Sequence, residues 1–221
     1  MSRALVARNR PPHAMPRSWR GGRPLLVLAV VAWLVAMAIA FRYSHAGGFA
    51  WHMVVHLFNV AVVAPLASLG LRGRWRFRTP VPLLAAFAEF VVVWAWHAPA
   101  AHAFARGDLS GFLLEQASFV ACALLLWAAV ADAARRREPG AIAQSVLALL
   151  LTSMHMTLLG AVLALASGNP YRADLCGSAA TGLGPIADLQ LGGALMLTVA
   201  ASVYLVAALR IARHLLGTHQ A

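Results

Sequence analysis

Three histidines occupy positions from which they could bind one metal ion. His52 and His56 lie in the segment WHMVVH at 51–56, and because they are four residues apart they project from the same face of a helix. His97 ends a different apolar run, in the segment WHAP at 96–99. At about 1.5 Å of rise per helical residue, His56 and His97 reach a similar shallow depth. This matched depth predicts a shared metal site.

Sulfur-containing side chains accompany these histidines. Met53 follows His52 directly, and the segment MHM at 154–156 places a deeper histidine, His155, between two methionines. Nitrogen and soft sulfur ligands together favour copper over magnesium or calcium. We therefore predict copper as the metal, with His155 or Met53 as a further ligand. The structural alternative stays open, because a single histidine within the membrane often bonds a neighbouring helix and methionine in an apolar helix usually packs.

Carboxylates and amides lie near the same end of the predicted helices. Glu115 and Gln116 open the fourth apolar run, and Asp188 and Gln190 open the sixth. Such groups can fix the tautomers of metal-binding histidines by hydrogen bonding to them. We assign Glu115, Asp188 and Gln190, together with Met156 and Glu89, to a supporting role.

Glu89 lies near the middle of the third apolar run, where an ionisable side chain is costly. Asn59, on the second run, reaches a similar depth, so we expect a hydrogen bond between the two. A proton relay through Glu89 is the alternative, but no series of carboxylates continues from it. Structural polarity is the preferred interpretation.

Composition identifies the class of protein. The 221-residue chain is 61% hydrophobic and 11% charged, far outside the range of soluble domains. All 18 basic residues are arginines, so a retinal protein with a Schiff-base lysine is excluded. The net charge of +11 does not indicate nucleic-acid binding, because the arginines stand in short runs between apolar stretches and are typical of membrane orientation signals. Cys122 and Cys176 form neither a zinc motif nor a disulfide framework.

Apolar runs long enough to cross a hydrocarbon core of about 30 Å occur at six places. Their predicted limits are 24–41, 50–70, 81–101, 112–131, 141–166 and 189–210. Each run must be helical, because backbone polar groups that face lipid have to be satisfied within their own segment. The sequence therefore predicts an all-α, polytopic membrane helix bundle with about six transmembrane helices.

The arginines predict how this bundle is oriented. Fifteen of them flank one side of the runs, whereas Arg42, Arg106 and Arg172 fall in loops on the other. The excess of positive charge places both termini in the cytoplasm and the histidines on the outer side. His45 and His102 then lie in or beside outer loops, where we expect them to be solvated.

The predicted domains follow from these limits. Residues 1–22 form a disordered, basic cytoplasmic tail, 23–213 the six-helix transmembrane domain, and 214–221 a short cytoplasmic tail. An alternative treats the first run as a signal peptide, because the segment SHA at 44–46 has the form of a cleavage site.

The order of these motifs resembles the multi-pass CtaG family of cytochrome c oxidase assembly factors over about residues 45–210. The resemblance rests on HMVVH at 52–56, APL at 64–66, Gly70, WHAP at 96–99, EQASF at 115–119, Met156, PY at 170–171 and DLQLGG at 188–193. Two features depart from the family. Members often have seven or more helices, and Leu189 separates an acidic residue and a glutamine that are adjacent in the family.

The resemblance implies a role in the maturation of a haem-copper oxidase, at its copper centre, in the bacterial cytoplasmic (inner) membrane. Cytochrome c oxidase subunits would be the protein partners and the lipid bilayer the surroundings, with no nucleic acid. We predict a non-enzyme, because no nucleophile and base are paired in the sequence and no HExxH zinc motif occurs. Copper would be held by His52, His56 and His97.

Two other functions stay open at this point. Paired histidines could ligate haem axially in a redox membrane protein. A copper transporter would instead need polar residues that continue to the cytoplasmic half, where they become sparse.

Overall fold

The computed structural model of the chain describes residues 17–42, 48–78, 80–171 and 182–216, and within these ranges its regular elements are all helical. The helices are α1 (Arg17–Arg42), α2 (Gly48–Phe58), α3 (Ala64–Gly70), α4 (Val81–Trp96), α5 (Pro99–Gly107), α6 (Leu109–Arg136), α7 (Pro139–Ala164), α8 (Pro185–Leu195) and α9 (Ala201–Leu216). Two short π-helical segments, Asn59–Val63 and Met196–Ala200, join α2 to α3 and α8 to α9.

Five continuous helical stretches in the described ranges are long and apolar enough to cross a membrane, and a bent pair of helices makes a sixth. The five stretches are Gly22–Arg42, Gly48–Gly70, Leu109–Arg136, Pro139–Ala164 and Pro185–Arg213. The predicted all-α bundle of about six spans is therefore confirmed. The placement of both termini in the cytoplasm stays a prediction.

The predicted continuous helix over 81–101 is wrong. The chain bends by 76° between α4, which ends at Trp96, and α5, which begins at Pro99. Proline disfavours a helical conformation at the residue before it, and Ala98 is accordingly extended (φ −70°, ψ 138°). Proline fits the first turn of a helix, where its missing N–H would have no partner, so Pro99 both ends one helix and starts the next.

Other predicted runs differ from the observed helices in where they begin or end. The fourth run extends to Leu109–Arg136, and the sixth begins at Pro185. Helix α1 begins at Arg17, inside the segment predicted as a tail. Some predictions fall outside the described residues: those on residues 1–16, on the SHA segment with His45, on Arg172 and Cys176, and on 217–221.

Glycines allow two helices to cross closely beneath the histidine-bearing end. A Cβ on Gly193 of α8 would lie 2.4 Å from the backbone nitrogen of Ala164, and one on Gly160 of α7 would lie 2.5 Å from that of Leu197. Small residues of this kind let backbones approach in lipid, where association depends on packing. The crossing holds α8 against α7 and, through α8, positions α2.

A hydrophobic core runs along the centre of the bundle and contains large, fully buried side chains. They include Phe49, Phe119, Leu126, Leu149, Met156, Leu189, Met196 and Tyr204. Large apolar side chains on the outer faces are exposed, as expected for a surface that meets lipid. Examples are Leu84, Phe87, Leu114, Met154, Leu158 and Leu209.

Asp132 organises the arginine-rich end of the bundle. One of its carboxylate oxygens accepts hydrogen bonds from the Phe77 backbone nitrogen (2.9 Å) and the Arg136 Nε (3.0 Å), and the other accepts one from Arg135 (2.6 Å). Arg136 also donates to the Phe77 carbonyl (3.0 Å) and pairs with Glu138. These bonds fix the loop after α3 to the end of α6. We call this set the Asp132 network.

Candidate metal centre

Four histidines converge at the opposite end of the bundle from the Asp132 network. The rings of His52 and His56, both on α2, are 6.5 Å apart between centroids and inclined by 17°. His97, which directly follows α4, lies 5.8 Å from each of them by the same measure. His102, on α5, lies 5.1 Å from His52. We call these four residues the histidine pocket.

The expectation that His102 is solvated is wrong, since only 2% of the residue is exposed. A straight continuation of α4 would have carried it out of the membrane. The bend at Pro99 instead turns α5 across the end of the bundle and places His102 beside His52. The sequence signal that could have revealed this is the proline two residues after His97.

All four histidines are buried, yet most of their ring nitrogens lack a hydrogen-bond partner among the described residues. The exposed fractions are 3% for His52, 0% for His56 and 6% for His97. The nitrogens without a partner are His52 Nδ1 and Nε2, His56 Nδ1 and Nε2, His97 Nε2 and His102 Nδ1. Each buried polar atom left unsatisfied costs about 1–3 kcal/mol. Six such nitrogens in one pocket are therefore costly, and a bound ligand would reduce that cost.

His97 is oriented with one nitrogen directed away from its own helix. Its Nδ1 lies 2.6 Å from the Val93 carbonyl oxygen, which can only accept, so Nδ1 carries the proton. In the neutral ring, Nε2 then holds the free electron pair. The Tyr171 hydroxyl donates to the His97 carbonyl (2.7 Å) and fixes the backbone as well. This is the arrangement that presents a histidine to a metal ion.

Glu115, on α6, adds a buried carboxylate to the pocket. Its Oε2 lies 3.8 Å from His52 Nδ1. One potential ligand atom from each of His52, His102 and Glu115 lies within 4.8 Å of the other two. Glu115 thus lies beside His52 and His102, and its supporting role at a metal site stays a prediction.

Arg106 contacts the same carboxylate. Its Nη2 donates to Glu115 Oε2, to which Gln116 Nε2 also donates (2.9 Å). Arg106 is buried on α5, so its assignment to the outer-loop arginines is corrected. Gln116 Oε1 in turn accepts from Asn59 Nδ2 (2.8 Å). The predicted hydrogen bond between Asn59 and Glu89 is wrong, since Asn59 donates to Gln116 and Glu89 accepts from Tyr204.

Aromatic side chains form the walls of the pocket. Phe119 lies edge-on to His56, with centroids 4.1 Å apart. Tyr171, in the loop after α7, stacks on Phe49 (4.9 Å, 27°) and lies 4.7 Å from His102. The sequence singled out Tyr171 only as a family landmark. These aromatic rings contribute to the burial of the histidines.

The three methionines differ in burial and packing. Met53 is fully buried and packs against α8, where a Cβ on Gly192 would lie 3.1 Å from its Cγ. Met156 is part of the hydrophobic core. Met154, whose thioether the sequence grouped with the histidines, is 63% exposed on the lipid-facing surface. The outward position of Met154 argues against that residue as a ligand, and ligation by Met53 stays a prediction.

Three other predicted residues contact groups other than the four histidines. His155 packs edge-on against Phe90 (5.5 Å), and neither of its ring nitrogens has a hydrogen-bond partner in the described part of the chain. Asp188 accepts from the backbone nitrogens of Phe49 (2.5 Å) and Ala50 (3.4 Å), so it caps the first turn of α2. Gln190 donates to the Ala166 carbonyl (3.0 Å). Asp188 therefore supports the pocket indirectly, by fixing the helix that carries His52 and His56.

Glu89 forms a separate polar site in the core. Its Oε1 accepts a hydrogen bond from the Tyr204 hydroxyl (2.6 Å), and the Tyr204 ring stacks on Trp127 (5.4 Å, 24°). Trp127 itself donates to the Val60 carbonyl (3.0 Å), within the π-helical segment after α2. Glu89 thus links α4 to α9.

Comparison with known proteins identifies the family. No curated protein and no solved structure matches the chain. The family model described as cytochrome c oxidase caa3 assembly factor (Caa3_CtaG) matches residues 3–217, which is nearly the whole chain. The resemblance drawn from the motifs is thereby confirmed, and the chain belongs to the cytochrome c oxidase caa3 assembly factor family.

Proposed function

We propose that this protein is a non-enzymatic membrane assembly factor that holds copper, as cargo, in the histidine pocket while cytochrome c oxidase is assembled. Family membership supports the assembly role, and helices apolar enough to span a membrane support the location. The observation that carries the copper proposal is the group of buried ring nitrogens that lack a partner among the described residues.

A structural role for the histidines would predict a different arrangement. Histidines that only join helices donate and accept hydrogen bonds, because buried polar groups in native proteins are nearly always satisfied. Here His52 and His56 have no such partner in the described ranges, although both are buried. A bound cation would use their free electron pairs.

The donor set agrees with copper. Imidazole nitrogen suits copper, zinc, iron and nickel, and an oxidase assembly factor has a specific use for the first of these. His52, His56 and His97 are the ligands predicted from the sequence, and His102 is the further imidazole in reach of His52. Glu115 would contribute negative charge beside them.

The experiment is metal binding by purified protein in detergent. Wild-type protein is expected to compete with a chromogenic chelator for Cu(I), and the double variant His52→Ala/His56→Ala should lose at least about 100-fold in affinity, since it removes two ligands. Met154→Leu is the matched control, because its thioether faces outward, and it should bind as wild type. In a strain lacking the gene, the double variant should fail to restore oxidase activity.

Two outcomes would contradict the proposal. The double variant could restore full oxidase activity, which would remove the pocket from the assembly role. Purified protein could also show an intense Soret band, which would replace copper by axially ligated haem as the cargo or cofactor.

A further inference from the structure

The Arg106–Glu115 ion pair lies beside the proposed ligands and is unusual for its depth. Glu115 is fully buried, and Arg106 is 8% exposed with its guanidinium 5.6 Å from the centroid of the Phe112 ring. Buried ion pairs recover their desolvation cost only with good geometry and additional hydrogen bonds. The Arg106 Nε and Glu115 Oε1 have no hydrogen-bond partner in the described parts of the chain. The pair is therefore incompletely satisfied, and stability alone is a poor reason for it.

The same oxygen of Glu115 faces both the arginine and the pocket. Oε2 accepts from Arg106 Nη2 and lies 3.8 Å from His52 Nδ1. His52, His102 and Glu115 have ligand atoms close enough together for one ion. A guanidinium thus neutralises the one carboxylate in that group.

We propose that Arg106 is the charge-selecting residue of the histidine pocket, which it keeps selective for a monovalent ion, Cu(I), against divalent ions such as Zn(II). This inference rests on the proposed function, since it assigns the charge of the ion that the pocket accepts. Arg106 would act on the bound ion through its charge, without coordinating it.

The physical basis is that electrostatic energy scales with the product of the charges. A fixed positive charge beside the pocket disfavours a divalent ion by twice as much free energy as a monovalent ion at the same place. By bonding to Glu115 Oε2, Arg106 also competes with the ion for that oxygen, and oxygen is the ligand type that suits harder cations. Both effects act against divalent metals.

The experiment compares Cu(I) and Zn(II) affinities of purified protein, each by competition with a chelator. Arg106→Gln should raise the Zn(II) affinity by at least about tenfold, and its logarithmic effect on Cu(I) should be about half as large. Arg106→Lys keeps the charge and is the matched control. It should retain the wild-type ratio of the two affinities within about threefold.

Glu115→Gln gives the opposite test. It should lower the affinities for both metals, and the logarithm of the Zn(II) affinity should again change by about twice as much as that of Cu(I). The double variant Arg106→Gln/Glu115→Gln removes both charges, so it avoids an uncompensated buried carboxylate and should return towards the wild-type ratio.

The outcomes separate this inference from the proposed function. Equal shifts for both metals, or the same result for Arg106→Gln and Arg106→Lys, would overturn charge selection while copper binding stands. Wild-type protein that binds no Cu(I) would overturn both proposals together.

Discussion

The two ends of the bundle bury polar side chains in opposite ways. In the Asp132 network both carboxylate oxygens accept hydrogen bonds, from a backbone nitrogen and from two arginines. In the histidine pocket six ring nitrogens are buried without a partner among the described residues. Asp132 and the histidines are all at most 6% exposed, so burial does not distinguish the two ends.

The difference is the one expected between a structural site and the proposed binding site. A polar group that only stabilises a fold gains from complete hydrogen bonding, because a partner left unsatisfied costs more than the bond itself contributes. The Asp132 network meets that condition and joins the loop after α3 to α6. The histidine pocket does not meet it, and its free electron pairs are available to a ligand. Substitutions at the two ends should therefore affect stability and metal binding in opposite proportions.

Asp132→Ala is expected to give the largest loss of stability. It leaves Arg136 and the Phe77 backbone nitrogen without their shared acceptor, and removal of one partner from a buried charge network is strongly destabilising. We expect a loss of about 2–3 kcal/mol in the free energy of unfolding, below the full buried-pair value because Arg135 is partly exposed. Denaturant titration in micelles measures it, and copper affinity should not change.

Glu138→Gln is the control for the Asp132 network. Glu138 also pairs with Arg136, but its side chain is 50% exposed. Exposed pairs contribute little, so the change should stay within about 0.5 kcal/mol. If Glu138→Gln and Asp132→Ala lower the free energy of unfolding equally, the Asp132 network is not what stabilises this end of the bundle.

His56→Leu should have the opposite effect, a loss of copper affinity with little change in stability. Leucine fills the space beside Phe119 and removes two buried nitrogens that have no partner in the described chain, so the free energy of unfolding should stay within about 1 kcal/mol of wild type or increase. Copper affinity should fall by at least about tenfold. Denaturant titration and chelator competition on the same preparation provide both values.

His155→Leu is the comparison variant, because His155 is also buried with both nitrogens unpartnered within the described ranges, but it packs on Phe90 and is not one of the four histidines that define the pocket. It should leave copper affinity unchanged. A loss of affinity equal to that of His56→Leu would instead make His155 a ligand, as the sequence allowed. A loss of more than about 2 kcal/mol in stability at His56 would assign that histidine to the fold.

Helical periodicity is what made part of the pocket predictable from sequence. His52 and His56 share a face because they are four residues apart, and His97 was matched to them by depth along a second helix. Adjacent residues on a helix point about 100° apart, and Met53 packs against α8 at Gly192. Its role as a ligand stays a prediction.

The rest of the pocket depends on tertiary structure that spacing does not encode. His102 and Arg106 enter through the 76° bend before α5, and a straight-helix count places both outside the bundle. Asp188 lies 138 residues or more from the backbone groups it caps, so its role follows only from the packing of α8 on α2. The number of spans could be predicted because lipid imposes length and apolarity on every one of them.

The Glu89–Tyr204 pair is intermediate between the Asp132 network and the histidine pocket in how fully its buried polar atoms are hydrogen-bonded. One oxygen of Glu89 accepts from the Tyr204 hydroxyl at 2.6 Å, whereas Oε2 has no hydrogen-bond partner in the described part of the chain. Tyr204→Phe removes that hydroxyl and keeps the ring that stacks on Trp127. If the pair is structural, the variant should lose about 1 kcal/mol of unfolding free energy, with copper affinity and oxidase assembly unchanged.

A proton relay at Glu89 would give the contrary result, because the hydroxyl would then matter to function more than to stability. Tyr204→Phe would support assembly poorly in a strain lacking the gene while its unfolding curve matched wild type. Glu89→Gln distinguishes the cases further, since glutamine can still accept from Tyr204 but cannot release a proton. Normal oxidase assembly with Glu89→Gln would leave Glu89 as a link between α4 and α9, so that it would belong with Asp132 and not with the histidine pocket.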